Sequence, residues 1–521
     1  MSTGSRAQPS AMLFNSHSFI FFFLPITLLV FYQFSARGTF RHALGALVFA
    51  SLFFYAWWNP VYLPLLLASI VVNYFLSLAL FKSKSKSLLI IGIALNLALI
   101  GYFKYAGFFV QSVNDVTGTT HTLNTIILPL GISFFTFQQI TFLVDTWSGN
   151  AKRYSLLDYC QFVTFFPQLI AGPIVHHHEM MPQFNKQTIL ANVRENLSVG
   201  LSIFIIGLFK KVVLADSVAE FATPVFDTAE AGFTLTIFEA WIGSLAYTLQ
   251  LYFDFSGYSD MAIGLARMFG IRLPLNFNSP YKATSIIDFW RRWHITLSRF
   301  LRDYLYIPLG GNRKGPTRRS INVFLTMLLG GLWHGAGWTF VVWGGLHGVY
   351  LLVNHLWRQW RGATNELSSS FLKRSFAHLL TLMAVVFAWV VFRAESWDAA
   401  LSLWQSMLGF NGIAVPGQVA VVLKPLNAVP LLPEFTEGGV FANQLFNVKE
   451  AALWVSGLML VALLFPNTQQ ILHGFKPVLE ELKPARIQWQ PNLLWLGVLS
   501  ATAVFTLLQL TGVSEFLYFQ F

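Results

Sequence analysis

The sequence predicts an all-α fold, a polytopic transmembrane helical protein, and three observations predict it. Of 521 residues, 55% are hydrophobic and only 11% are charged, with a mean hydropathy of +0.57. Soluble domains carry about 25% charged residues, so this chain lacks the polar side chains to cover a water-facing surface of its size. Apolar runs recur from end to end, many near the ~20 residues that a helix needs to cross a bilayer core. Basic residues gather at the ends of such runs, as at Lys82, Lys84 and Lys86 and at Lys210 and Lys211, which is how cytoplasmic loops of membrane proteins are marked.

In chain order, Met1 to Ala11 is polar and reads as a disordered N-terminal extension. Met12 opens the apolar pattern, and residues 12–521 read as a single transmembrane domain. The run Phe19 to Phe31 resembles a signal-peptide core, but no small-residue cleavage site follows it, so it reads as a retained first span. Further spans are expected near 43–58, 60–81, 88–110, 124–145, 157–175, 196–215, 234–253, 321–354, 375–394, 450–466 and 492–512. Some are short enough to be re-entrant or interfacial, which leaves about ten to twelve spans. Residues 410–447, with Pro416, Pro425, Pro430 and Pro433, read as a long loop, and 465–491, with Lys476, Glu480, Glu481, Lys483 and Arg486, as a second.

The net charge of +11 follows from the basic loops, and no basic stretch is interleaved with a nucleic-acid fold pattern, so membrane lipid and not nucleic acid is the expected partner. A single cysteine, Cys160, excludes an intrachain disulfide and a cysteine metal cluster. It sits in an apolar run with no adjacent histidine and reads as a small buried hydrophobe.

Nine of the 34 basic residues fall between Tyr281 and Ser320, which places that segment on the cytoplasmic side. Wound as one helix, residues 288–304 put Arg291, Arg292, Arg299 and Arg302 within an arc of about 100°. Phe289, Trp290, Trp293, Leu297, Phe300, Leu301 and Tyr304 face the other way, so an interfacial helix is expected. His294 falls at the edge of the apolar arc; it is a functional candidate, with a structural histidine bonded to a backbone carbonyl as the alternative.

His334 lies inside the apolar run 321–354. A histidine in a span is costly without a partner or a wet cavity, which makes it functional by default. On a continuous helix Gly330 and Gly331 precede it by four and three positions and Gly337 follows by three, leaving space for a closely packed helix or for a substrate. His347 and His355 also occur in or beside this run. An imidazole with an unperturbed pKa near ~6.5 can take a proton from an alcohol at neutral pH, and alcohol attack on a thioester needs a base and charge stabilisation but no metal.

Asp254 and Asp260 sit in an apolar aromatic segment and are each costly unless paired; a structural ion pair or cap is the plainer reading of both. Asn276, Asn278 and Tyr281, and Asn312, Arg313 and Lys314, are candidates for a cytoplasmic mouth, where cations would suit coenzyme A phosphates or anionic lipid. Trp333, Asn276, Asn312, Arg313 and Asp254 are therefore candidate substrate or donor contacts. His176, His177 and His178 invite a metal reading. Consecutive helical residues point about 100° apart, so three in a row do not converge on one ion. A loop of solvated histidines is expected, and no metal.

Trp290-Arg291-Arg292-Trp293-His294-Ile295-Thr296-Leu297-Ser298, Leu309-Gly310-Gly311-Asn312-Arg313 and Gly330-Gly331-Leu332-Trp333-His334-Gly335-Ala336 together resemble the membrane-bound O-acyltransferases. The likeness is strongest to the bacterial branch that acetylates exported polysaccharides, typified by alginate O-acetylation. It runs from Met12-Leu13-Phe14-Asn15-Ser16 through Leu128-Pro129-Leu130-Gly131, Ile170-Ala171-Gly172-Pro173 and Leu251-Tyr252-Phe253-Asp254-Phe255-Ser256-Gly257-Tyr258 to Phe516-Leu517-Tyr518-Phe519-Gln520-Phe521. The resemblance implies that His334 matches the family's essential membrane-embedded histidine and His294 its second functional position. It also implies helices around a central tunnel, acetyl-CoA or another acyl thioester as cytoplasmic donor, an inner-membrane location, and periplasmic acetyltransferase partner proteins that complete transfer. Teichoic acid D-alanylation, peptidoglycan or lipid acylation keep the fold and change the acceptor. A transporter or channel, with His334 as a proton relay, is the reading from another class.

Overall fold

A computed structural model describes residues 12–38, 40–361, 370–415, 425, 435–437, 446–510 and 516–517. The expected disordered extension 1–11 lies outside the described residues, as do most of the loop expected at 410–447 and all but two residues of the terminal segment 516–521. Among the described residues the fold is all-α apart from two three-residue strands, Ile413–Val415 and Phe435–Glu437, which pair in parallel. Among the described residues, six helices are long and apolar enough to cross a membrane: Phe19–Ala36, Phe40–Trp58, Pro60–Ser83, Lys86–Thr117, Val193–Glu230 and Phe371–Arg393. The protein is a multi-pass membrane protein.

Several expected spans are divided. The run 124–145 becomes helical only at Ile132, after Pro129 and a left-handed Gly131 (φ 67°). The run 157–175 splits into Leu156–Thr164 and Phe166–Leu169; nine residues reach only about 14 Å, too short to span. The expected segment at 234–253 belongs to a longer helix, Ile237–Met268, of 32 residues.

The chain groups into two compact units. The first comprises residues up to Val212, Ser256–Asn276 and Thr468–Gln520. Its N-terminal helices are separated by local stop and start signals: Lys84 in the left-handed region (φ 49°) ends Leu63–Ser83, and the Ser85 side chain caps Lys86–Ile100. These two helices are joined by a buried reciprocal amide pair, Asn73 Nδ2 to Asn96 Oδ1 at 3.2 Å and Asn96 Nδ2 to Asn73 Oδ1 at 2.7 Å, a way of satisfying amides where no water is at hand. Farther along, glycines let backbones touch: a Cβ on Gly264 would stand 2.6 Å from Gly200 O, and one on Gly257 2.8 Å from Gly207 O.

The second unit comprises Val213–Phe255 and Phe277–Asn467. Its centre is a hairpin of Gly315–His334 and Trp338–Arg361. The sequence suggested one continuous run here; instead the chain leaves the helix at Gly335 (φ −156°, ψ 152°) and restarts at Trp338. The glycines explain the hairpin. A Cβ on Gly331 would lie 2.3 Å from Phe340 O, and one on Gly344 2.4 Å from Met327 O, so the two helices meet backbone to backbone. Elsewhere in this unit Glu230 caps a helix start, accepting from Glu395 N (2.6 Å), Ser396 N (2.9 Å) and Ser396 Oγ (2.7 Å).

Candidate functional site

In the second unit the chain breaks helix at both candidate histidines, and that is what positions them. The continuous amphipathic helix expected over 288–304 is not formed. Ile286–Trp290 ends in a turn, His294 takes a left-handed backbone (φ 43°, ψ 54°), and Ile295–Leu301 begins from it as a new helix. A non-glycine residue held at positive φ costs of order 1–3 kcal/mol and persists only where its surroundings over-determine it. Here the surroundings are rings: Phe255 meets the imidazole edge-on at 4.9 Å, and Phe277 lies at 6.3 Å. His294 is fully buried, and burial pulls its imidazole to a pKa of about 3, leaving it neutral.

His334 is the last residue of its helix. Gly337 therefore does not share a helical face with it, and Gly331 serves the packing of the hairpin instead of opening space for a substrate. The imidazole is buried in an aromatic enclosure: Trp333 at 5.0 Å, Trp343 at 5.1 Å and 87°, and Phe392 at 5.5 Å and 77°. The His294 ring lies 6.2 Å from it, and the Trp333 ring 6.2 Å from His294. His294, Trp333 and His334 thus form one cluster.

Three aromatic neighbours, Trp343, Phe392 and Phe255, and the role of His347 escaped the sequence reading. His347 is fully buried on Trp338–Arg361 and accepts a hydrogen bond at Nδ1 from the indole N–H of Trp290 (3.3 Å). That bond fixes its proton on Nε2, which has no hydrogen-bond partner among the described residues. Trp343 joins the two histidines, with ring separations of 5.1 Å to His334 and 4.9 Å to His347. The signal available in sequence was a second histidine in the apolar run of His334; its link to Trp290 is tertiary.

The other candidates are held as follows. Asp254 is buried, one position before Phe255. Asn312 and Arg313 are exposed in the turn before Gly315–His334, a turn held by Asn322 Nδ2 donating to Gly311 O (2.9 Å). Asn276 belongs to the first unit, where it is buried and donates to Ser259 Oγ (3.2 Å). Tyr281, expected at a mouth, is buried and donates to Thr248 O (2.6 Å). Of the arginine stripe, Arg292 pairs with Asp288 (2.8 Å) and Arg302 with Asp303 (2.7 Å). Nearby, burial and then the Arg292 charge lower the pKa of Lys282.

In the first unit Asp260 is a structural ion pair, as the plainer reading had it. It receives Lys210 Nζ (2.6 Å), Thr468 Oγ1 (2.6 Å) and Gln469 Nε2 (2.9 Å). His176 and His177 are buried, contrary to the expected solvated loop, while His178 is exposed. The three do not converge on one point, but His177 and His178 form a close group with Asp145.

The model of the membrane-bound O-acyltransferase family matches residues 148–394, a stretch that includes His294, Trp333, His334 and His347. A peptidoglycan O-acetyltransferase of Helicobacter pylori is 48% identical over 436 residues, covering 78% of this chain and 81% of the relative. A protein described as a "probable alginate O-acetylase" of Pseudomonas aeruginosa is 41% identical over 410 residues, covering 77% and 75%. A teichoic acid D-alanyltransferase of Bacillus subtilis is 27% identical over 283 residues, covering 53% and 71%.

Proposed function

This chain belongs to the membrane-bound O-acyltransferase family, and from that premise we propose that it carries acetyl from a cytoplasmic thioester across the bacterial inner membrane for O-acetylation of an exported polysaccharide. That it is an O-acyltransferase follows from its relatives; the donor, the acceptor, the residues and the side of the membrane are the proposal. The observation that carries it is the pairing of His294 with His334, ring to ring at 6.2 Å, in an aromatic enclosure.

In this reading a neutral imidazole of His334 accepts the proton of an acceptor hydroxyl as its oxygen attacks the thioester carbonyl. The carbon–sulfur bond breaks, the ester forms, and the thiolate leaves with a proton returned from the imidazolium. His294 orients the acceptor or stabilises the oxyanion. Acetyl-CoA or another acyl thioester is the donor substrate; Asn312, Arg313, Asp254 and Trp333 are candidates for holding donor or acceptor. Periplasmic acetyltransferase proteins receive the group and complete transfer to polymer.

Two acceptors compete on specific grounds. The likeness to an alginate O-acetylase supports an exopolysaccharide, and the 48% identity to a peptidoglycan O-acetyltransferase supports the cell wall. A deletion strain complemented with wild type, His334→Ala or His294→Ala at matched membrane levels separates them. Ester-linked acetyl is counted on the exopolysaccharide and on peptidoglycan in parallel. Loss from one polymer in the deletion and in His334→Ala, with rescue by wild type, identifies the acceptor. Unchanged acetyl on both polymers in the deletion would overturn the reading.

A further inference from the structure

The histidine run that the acyl-transfer site leaves unused gains a carboxylate from elsewhere in the first unit. Asp145 stands near the end of the helix Ile132–Ser148, where the chain turns out through Gly149 (φ 84°). His177 opens the short helix His177–Met180, after an extended His176 whose backbone N–H is held by Glu179 Oε2 (3.0 Å). That change of backbone lets two consecutive histidines face one neighbour, with their rings 5.6 Å apart and nearly perpendicular (85°). One nitrogen from each imidazole and one Asp145 oxygen all lie within 4.8 Å of one another.

We propose that Asp145, His177 and His178 bind a divalent transition metal, Zn²⁺ by their chemistry, which clips the end of Ile132–Ser148 to the segment following Pro173. His177 Nε2 and Asp145 Oδ2 are 3.2 Å apart, close to the ~3.4 Å edge of a tetrahedron with metal–ligand bonds of about 2.1 Å. His177 and Asp145 are buried, and Phe142 (5.4 Å, 85°) and Tyr154 (6.1 Å) brace the His177 ring. His178 is exposed and has the rotamer freedom to close the remaining gap and admit an ion from water. Two imidazole nitrogens and one carboxylate favour Zn²⁺ over Ca²⁺ or Mg²⁺, which take oxygen ligands. A fourth position stays open for water. The site is separate from His294 and His334, and its failure leaves the acyl-transfer reading standing.

The test uses the full chain in detergent, purified without a polyhistidine tag and stripped with chelator. On adding Zn²⁺ and desalting, wild type retains about one ion per chain by elemental analysis and its thermal unfolding midpoint rises. Co²⁺ gives the visible bands of a low-symmetry four-coordinate site. His178→Gln, at an exposed position where folding is not at stake, and Asp145→Asn both reduce retention at least tenfold and abolish the rise. Wild type that retains less than a tenth of an ion per chain, or His178→Gln that retains as much as wild type, would show the approach of His177 to Asp145 to be a close polar contact and nothing more.

Discussion

His294 and His334 face each other at 6.2 Å because each stands where its helix breaks, one at the start of a helix and one at the end. Within a helix, side chains tilt back toward the N-terminus; the left-handed backbone at His294 releases its ring from that direction.

Removing either imidazole is expected to cost acyl transfer about 10²-fold or more, the usual worth of a positioned acid–base group. The cleaner variant at 294 is His294→Asn, because asparagine tolerates the left-handed backbone that alanine resists. Turnover of acyl thioester by purified His334→Ala and His294→Asn, at wild-type thermal midpoints, checks the roles. Wild-type rates in both would remove them from the chemistry.

The hairpin depends on glycine at selected positions. Gly344→Ala places a methyl 2.4 Å from Met327 O, a backbone atom that cannot move alone, and should destabilise by about 1–3 kcal/mol or more. Gly345→Ala meets only Leu328 Cδ1 at 3.7 Å and should be neutral to within ~0.5 kcal/mol in packing. Denaturant unfolding in detergent distinguishes them; equal losses would sink the packing argument.

Trp290→Phe keeps a ring against Trp343 and His347 but deletes the N–H that His347 Nδ1 accepts. The expected loss is ~1 kcal/mol from the bond. Trp290→Ala loses the packing too and should cost ~3–5 kcal/mol. If Trp290→Phe leaves both stability and turnover unchanged, the Trp290–His347 bond contributes nothing.

Asp260→Asn strands Lys210, whose side chain is only 13% exposed, and breaking such a pair from one side costs about 3–5 kcal/mol. The double variant Lys210→Met, Asp260→Asn should recover part of that loss. Additive losses in a double-mutant cycle would show that the two side chains are not coupled.

The sequence by itself determined the membrane class, the helical content and the candidate residues. Apolar fraction, run length and placement of basic residues are local sums that hold whatever the packing, and motif order carried the family likeness. Tertiary structure decided the rest. Gly331 and Gly344 are legible as small residues, but only their contact explains why 321–354 folds back as a hairpin. His347 is legible as a histidine in an apolar run, but its tautomer comes from Trp290 in another segment. Asp145 has no sequence signal linking it to His177 and His178. Pair geometry arises from packing between distant segments, and periodicity within one segment does not encode it.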